Sequence, residues 1–510
     1  MKKILFAAIV LLSYEFTIAQ TPEDALRYSW QPASGTARSQ AIGNANGAIG
    51  GEISTMFSNP ANMGFYKTGD FVISAGANIM GNNTTYHGQS TKATNASGFL
   101  GTTGVVFGRP SYSNGSVKSS AFGIAVNKLA DFNNNVEYLT RTGVNTSMAD
   151  MFLQDARVRG FGNLDQYGSW LAYQTYWIDT GATKQTFFSE ASDAARASGL
   201  QQRQNIITSG GISEVAIAGA LNLNEKVFLG ATLGLPIVQY RATRQYTEQV
   251  PNSIPRTDGR FDLGYFEDNL SQTGMGINLK AGIVVKATEN FRLGFAGHTP
   301  TFYSFSENYN AMAETEFVNI DDPSKVDYYK ETSGRDGAFD YRLNTPYKLI
   351  GSFSYFLGNV NDVESQKGFI SGDVEYVNHA ASKFRTTGDA YAEDRDYFND
   401  LNTTIKNDAY KGAVNARLGA ELKFNTFMAR LGGAYYGNPY RDIAGETGQI
   451  VQASTGFGYR HKGFFVDLGY VHTFGKDVVF PYRLESPLSV NPASINRSNS
   501  RILLTLGFKI

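Results

Sequence analysis

The sequence predicts an all-β fold: a transmembrane antiparallel β-barrel of about 14 strands with an N-terminal hatch (plug) inside its lumen. Three observations predict it. Short segments alternate apolar and polar residues with a period of two, and they come in pairs joined by tiny turns at one end and long polar loops at the other. Beyond the leading residues, no apolar run approaches the roughly twenty residues that a spanning helix needs. The closing segment shows the pattern, with Ile502, Leu504, Leu506, Phe508 and Ile510 on one face and Arg501, Thr505, Gly507 and Lys509 mostly on the other. Such a strand needs an apolar solvent on one side and a wet lumen on the other, with every backbone group paired by closure.

At the start, Lys2 and Lys3 precede an apolar stretch from Ile4 to Leu12 and the small-residue end Thr17, Ile18, Ala19. This is the pattern of a secretory signal peptide over 1–19, so the expected location is the bacterial outer membrane. A mean hydropathy of -0.27 suits strands that are half polar. Charged residues are 18%, against roughly 25% in soluble domains. The chain has no cysteine, which removes disulfides and thiolate metal sites and leaves rigidity to the hydrogen-bonded sheet. A net charge of -1 argues against nucleic acid as a partner. Tyr and Phe (29 and 35) far outnumber Trp (3), and Tyr suits the two membrane interfaces because its ring is apolar and its hydroxyl wet. The 54 glycines fit strands that bend and a lumen wall that something approaches closely.

Along the chain, strands are expected at about 70–80, 99–108, 119–129, 212–223, 226–245, 271–286, 290–306, 346–357, 368–378, 412–424, 426–436, 452–460, 463–474 and 499–510. An even number returns both ends of the barrel to one side. Asn224-Glu225, Thr288-Glu289, Asn425 and His461-Lys462 are short enough to be periplasmic turns, and the longer links are extracellular loops. The largest loop is 130–211, within which 148–159, 164–177 and 190–204 have helical composition. The division is therefore signal peptide 1–19, hatch 20–68 and barrel 69–510. Alternation turns Met275, Ile277, Leu279, Ala281, Ile283 and Val285 toward lipid and Asn278, Lys280 and Lys286 inward. It also puts Arg292, His298, Asp373, Glu375, Arg417, Glu421, Lys423, Arg430 and Asp467 inside, giving a lumen of both signs.

The segment before the first strand alternates poorly and is rich in Gly, Ala, Ser and Asn, but Ile42, Ala45, Ala48, Ile49, Ile53, Met56 and Phe57 give it something to bury. A barrel of about fourteen strands is wide enough to enclose it. Residues 39–65, SQAIGNANGAIGGEISTMFSNPANMGF, resemble the hatch of the FadL/TodX family of outer-membrane transporters for hydrophobic compounds. Residues 287–305 (ATENFRLGFAGHTPTFYSF), 372–377 (GDVEYV) and 416–440 (ARLGAELKFNTFMARLGGAYYGNPY) resemble later family strands in the same order. Asn62-Met63 after Asn-Pro-Ala departs from the family's usual Gly-Leu or Gly-Met, and the chain ends in Ile510 rather than Phe. The resemblance implies passive uptake of long-chain fatty acids or other hydrophobic molecules, with capture at extracellular loops and passage past the hatch to a lateral opening.

Three groups of residues are candidates for that work. Asn59, Pro60 and Ala61 form the hatch motif, since Pro fixes its own φ and holds Asn59 extended while the Asn amide caps the turn. Lys280, Arg292, Arg417 and Arg430 are inward cations able to meet a ligand carboxylate, Arg doing so bidentately; the alternative is that they pair with Asp373, Glu375, Glu421 or Asp467. Phe152, Trp170, Tyr173, Trp177, Phe187 and Phe188 could form an extracellular apolar landing site or pack the loop's helices onto the rim. The histidines (His87, His298, His379, His461, His472) show no metal-ligand spacing or nucleophile motif, so no enzymatic function, metal or cofactor is expected. Expected partners are outer-membrane lipid and a fatty-acid-like hydrophobic molecule, with a barrel that is itself monomeric. The alternatives are a scaffold or shuttle subunit in an outer-membrane protein complex, or a haem receptor, which so few histidines disfavour.

Overall fold

Alternating side chains give each strand a lipid face and an inner face, and the backbone ladder closes the sheet on itself. The computed structural model describes residues 21–510 apart from 113–114, 255–259, 335, 359–365, 389–391, 442–447 and 487. The expected signal peptide over 1–19 lies outside the described residues.

Among the described residues the sheet segments join into 14 wall strands, all antiparallel to their neighbours. They are β1 (Asp70–Tyr86), β2 (Gln89–Leu100 and Thr103–Pro110), β3 (Val117–Asp131 and Asn134–Leu139), β4 (Gln201–Leu223), β5 (Val227–Gln249), β6 (Phe261–Lys286) and β7 (Phe291–His298 and Phe302–Val318). The second half comprises β8 (Gly337–Asn344 and Lys348–Gly358), β9 (Gln366–Asn378 and Lys383–Thr386), β10 (Gly412–Phe424), β11 (Phe427–Tyr436), β12 (Ile450–His461), β13 (Phe464–Val479) and β14 (Ala493–Lys509). Closure runs from Asp70↔Lys509 to Thr85↔Ser494. The outward side chains Met275, Ile277 and Leu279 on β6, Leu418 and Leu422 on β10, and Ile502, Leu504 and Phe508 on β14 are exposed, and they form an apolar band that only lipid can cover.

Several loops are shorter than the alternation predicts because strands continue above the band. Residues 81–98 form no loop: β1 and β2 pair up to Tyr86↔Gln89 around a turn whose His87 and Gly88 have φ of 44° and 78°. Asn82, Asn83, Thr84 and Thr85 carry no apolar period because both of their faces leave the lipid, yet their backbone ladder persists. For the same reason the large insertion spans 140–200 rather than 130–211.

Within that insertion α3 (Met148–Arg159), α4 (Ser169–Gln174) and α5 (Glu190–Ser198) form a cap. The helices expected over 164–177 and 190–204 are shorter than the composition suggests. Gly168 stands at the start of α4, Gly199 ends α5 at φ 75°, and the residues from Gln201 on belong to β4. Phe152, Leu153, Leu171, Trp177, Ile178 and Phe187 pack with Phe261 and Phe266 of β6 as the cap's core.

The N-terminal residues lie inside the wall as α1 (Pro22–Arg27), α2 (Ala37–Ala41) and two 3-10 turns, Ile53–Phe57 and Pro60–Phe65. Ala37, Ala41, Ile42, Ala45 and Ala48 are fully buried.

Candidate functional site

The hatch is seated by its small residues and amides. Pro60 lacks an N–H and restricts the residue before it, so Asn59 is extended (φ -122°, ψ 96°) and its Oδ1 accepts from Ala61 N at 3.2 Å. Asn59 Nδ2 donates to Gly47 O (2.8 Å) and to Ile283 O of β6 (3.3 Å), tying the turn to the wall. Asn62, at the position where the sequence departs from the hatch pattern, donates to Gly47 O (2.8 Å) and accepts from Gly50 N (2.9 Å). The facing wall is glycine because nothing larger fits: a Cβ at Gly282 would lie 2.0 Å from Asn59 Oδ1, and one at Gly230 2.4 Å from the Pro60 carbonyl carbon.

The inward charges fasten this plug. Arg38 of α2 grips Glu421 with two bonds of 3.0 and 3.2 Å, and Arg430 donates to Glu421 (2.6 Å) and to Asp467 (2.7 Å). Arg417 donates to Glu375 (3.2 Å), and Asp373 accepts from the backbone N–H of Asn46 and Gly47 (both 3.2 Å). Lys280 is bonded to Glu214 of β4 at 2.5 Å. Arg292 donates to Ile49 O (2.6 Å) with its guanidinium over the rings of Phe65 (4.3 Å) and Phe356 (4.0 Å). The four cations singled out in the sequence are thus committed to wall or hatch partners. Buried ion pairs of this kind specify a seat more than they add stability.

Above the hatch a cavity of about 230 Å³ is walled by Trp30, Met80, Leu129, Phe132 and Ile450, with Arg27, Arg497 and Arg501 at its edge. Arg27 is paired with Asp24 and Arg497 with Asp477. Arg501, inward on β14, lies over the Phe99 ring at 5.3 Å and touches Gln40 Oε1 at 3.4 Å; among the described residues it forms no ion pair. Its Nε and the Trp30 Nε1 are buried with no protein partner. Unpaired buried donors beside apolar walls are what a ligand with a polar end would satisfy. Gln31, Pro32 and Leu129 line both this cavity and a smaller one of about 120 Å³ below, where Lys280, His298, Glu375 and Arg417 sit. Sequence alone ranks Arg501 no higher than other inward cations, since what sets it apart from Lys280, Arg417 and Arg430 is that no carboxylate comes within ion-pair distance, Asp131 across the cavity acting on it only from further away.

The wall beside the upper cavity is incompletely laddered. β2 pairs with β3 only from Thr103↔Val126 to Pro110↔Ser119. Above that, β3 breaks at Phe132-Asn133 and pairs on its other side only, with β4. Side chains replace the missing backbone bonds: Ser97 Oγ of β2 donates to Asp131 Oδ2 (3.0 Å), and Asn82 Nδ2 of β1 reaches over to Asn134 Oδ1 (2.6 Å). Leu129, Ala130, Asp131 and Phe132, which flank the gap, also line the cavity.

No protein-family model matches the sequence, and no curated protein matches it. Solved structures do. The chain is similar to a Pseudomonas aeruginosa FadL homologue at 11% identity over 94% of this chain and 99% of that one, with a TM-score of 0.55. It is similar to the P. putida toluene transporter TodX at 12% identity over 94% and 99%, with a TM-score of 0.52. The fold is that of the FadL and TodX barrels.

On this FadL-type wall the cap residues divide. Phe152, Trp177 and Phe187 are cap core, and the Trp177 Nε1 donates to Glu248 at 3.0 Å. Tyr173 is half-buried against Phe161 (5.1 Å between centroids). Trp170 and Phe188 are exposed, together with Tyr176. His298 and Ser304, both on β7, do not converge: His298 faces inward and bonds Ser58 O (2.6 Å), while Ser304 faces outward. No cluster of His, Asp and Glu suited to a metal exists among the described residues.

Proposed function

We propose that this protein is an outer-membrane channel for passive uptake of hydrophobic molecules carrying one acidic group, fatty-acid-like in chemistry. The ligand first meets Trp170, Tyr176 and Phe188 on the cap, enters the upper cavity, and leaves sideways between β2 and β3 above Thr103 and Val126. The observation that carries the reading is the cavity itself, where apolar walls, the unpartnered Trp30 Nε1 and the unpaired Arg501 lie directly behind the unladdered stretch of wall. Arg501 offers a planar fork to a carboxylate, and Trp30 can donate to the same group. At about 230 Å³, below the ≈300–1,000 Å³ usual for small-molecule sites, the cavity takes a compact body or one segment of a chain, with the rest directed past Leu129. The hatch beneath stays fixed by Asn59, Asn62 and the Arg38–Glu421–Arg430 network, so lateral exit spares the seal of the barrel.

The test is extraction and identification of molecules bound to the detergent-purified protein, with Arg501→Gln beside the wild type. Recovery of an amphiphilic acid from the wild type and its depletion in the variant supports the reading. Equal recovery from both, or a lumen free of any amphiphile, sinks it.

A further inference from the structure

At the upper edge of the apolar band the outer surface of the wall passes from apolar to cationic side chains. On β6 and β7 the last exposed apolar side chains before the surface turns polar are Met275, Ile277 and Phe302, with Thr273, Ser304 and Ser306 beyond them. The register continues these rows across two more strands. Met275 faces Ser304, Ser304 faces Arg342 and Arg342 faces Arg385; one row lower, Ile277, Phe302, Asn344 and Lys383 are neighbours in turn. Arg342, Lys383 and Arg385 all point outward and are exposed. Together with Met275, Ile277, Phe302 and Asn344, the two arginines bound a groove of about 510 Å³.

Like charges set directly opposite each other on a ladder are destabilising. Where exposed charges lie side by side above β7, Lys330 has Glu314 as its partner across the ladder. Among the described residues Arg342 and Arg385 have none, and the outward carboxylate on the same strand, Asp340, forms no ion pair with either. The strand segment bearing Arg385 is nonetheless held in place: Asn402 of α6 (Ala392–Thr404) accepts from Phe384 N at 2.7 Å and donates to its carbonyl at 2.9 Å. Height fixes the environment. Thirteen residues separate Arg342 from the exposed Tyr355 low on β8; at about 3.3 Å per residue and a tilt near 40°, that is roughly 30 Å, just beyond an apolar band about 25 Å tall.

We propose that this groove binds a phosphorylated lipid of the outer leaflet, its phosphate held between the guanidinium groups of Arg342 and Arg385 and an acyl chain lying over Met275, Ile277 and Phe302. A phosphate neutralises the opposed pair and accepts from both planar forks, and the apolar floor continues into the hydrocarbon layer. Lys383, one row closer to the hydrocarbon, reaches the headgroup level by extending its chain.

The experiment uses the full barrel in detergent with diphosphorylated lipid A as probe, its dephosphorylated form and inorganic phosphate as the other arms, and native mass spectrometry as readout. Arg342→Gln with Arg385→Gln should weaken retention of the phosphorylated probe about tenfold or more, as expected for loss of charge-assisted bonds. Arg241→Gln, which removes an exposed outward arginine of β5 elsewhere on the wall, should leave it unchanged. Heat-modifiable gel migration verifies that each barrel is closed. Equal retention by wild type and double variant, equal retention of the dephosphorylated lipid, or displacement by millimolar inorganic phosphate alone would each overturn the proposal, the last because it would make the site one for free anions.

Discussion

Two seams of one wall solve the same problem in opposite ways. Where β14 meets β1, the ladder runs unbroken from Asp70↔Lys509 to Thr85↔Ser494, and Ser74 and Thr505 add an inner hydrogen bond of 2.8 Å. Where β2 meets β3, the ladder stops at Thr103↔Val126; above it Ser97 of β2 bonds the Asp131 side chain, and Asn82 of β1 reaches across to Asn134 Oδ1 and the Asn135 carbonyl. A third place shows that a break in a strand need not open the wall. β7 and β8 are both interrupted at prolines, Pro300 and Pro346, which have no N–H to give, but there Thr345 N donates to Thr301 O (3.0 Å) and Thr301 N to Thr345 Oγ1 (2.9 Å). Closure thus depends on whether neighbouring strands break together. Side-chain bonds near solvent cost little to open, whereas a laddered seam opens only by losing many bonds at once.

The largest effect is expected from sealing the open seam. In a chain without cysteine, Ser97→Cys with Asp131→Cys, bridged by oxidation or a short dithiol reagent, should abolish uptake of a hydrophobic probe, and reductant should restore it. The same treatment at Ser74 and Thr505 should change nothing. Uptake that survives the first bridge would remove the lateral route.

Next comes the contrast between a structural cation and a ligand cation. Arg430→Met strands Asp467 in the interior and leaves Glu421 to Arg38 alone, and should cost about 3–5 kcal/mol, read as a lower unfolding transition of the barrel. Arg501→Met, lacking a paired carboxylate, should stay within about 1 kcal/mol of wild type while losing bound ligand. If the two variants lose stability equally, the distinction between them fails.

A smaller effect tests the hatch seat. Asn59→Ala removes an N-cap and a wall contact, expected to cost about 1–2 kcal/mol, and should speed amide exchange across 47–61 without altering exchange at the β14–β1 seam. Unchanged exchange in the hatch would mean that the Asn-Pro-Ala turn holds nothing.

The smallest effect concerns the cap. Glu248 of β5 stands well above the apolar band, whose last exposed apolar residue on that strand is Ile237. Burial pushes its carboxyl up to about 7, against bonds from Ser147, Met148 N, Tyr246 and Trp177 that pull it down. A carboxyl raised above its unfolded value binds its proton more readily in the docked cap, so docking is strongest below about 4.5 and weakens as pH rises through 7. Relative to their intrinsic base-catalysed rates, cap amides should therefore be better protected at pH 5.5 than at pH 8, and Glu248→Gln should flatten that difference in protection.

Much of this was legible in residues alone, and the misses share a cause. Period two located each wall strand within the band, because lipid on one face punishes every polar side chain placed there. It failed for 81–98 and for the upper part of β3, where water or protein on both faces removes the penalty while the ladder continues. Inward cations were equally visible, but Lys280, Arg417 and Arg430 look identical to Arg501 until the folded wall brings carboxylates within ion-pair distance of the first three.

The barrel, its inward and outward faces and the small-residue plug follow from local alternation and composition acting against two solvents. Which charges are spent on holding the plug, where the ladder between two strands stops, and which arginines remain unpaired emerge once the wall has closed. Those depend on the register between strands far apart in the chain, and register is a property of pairs that no single strand carries.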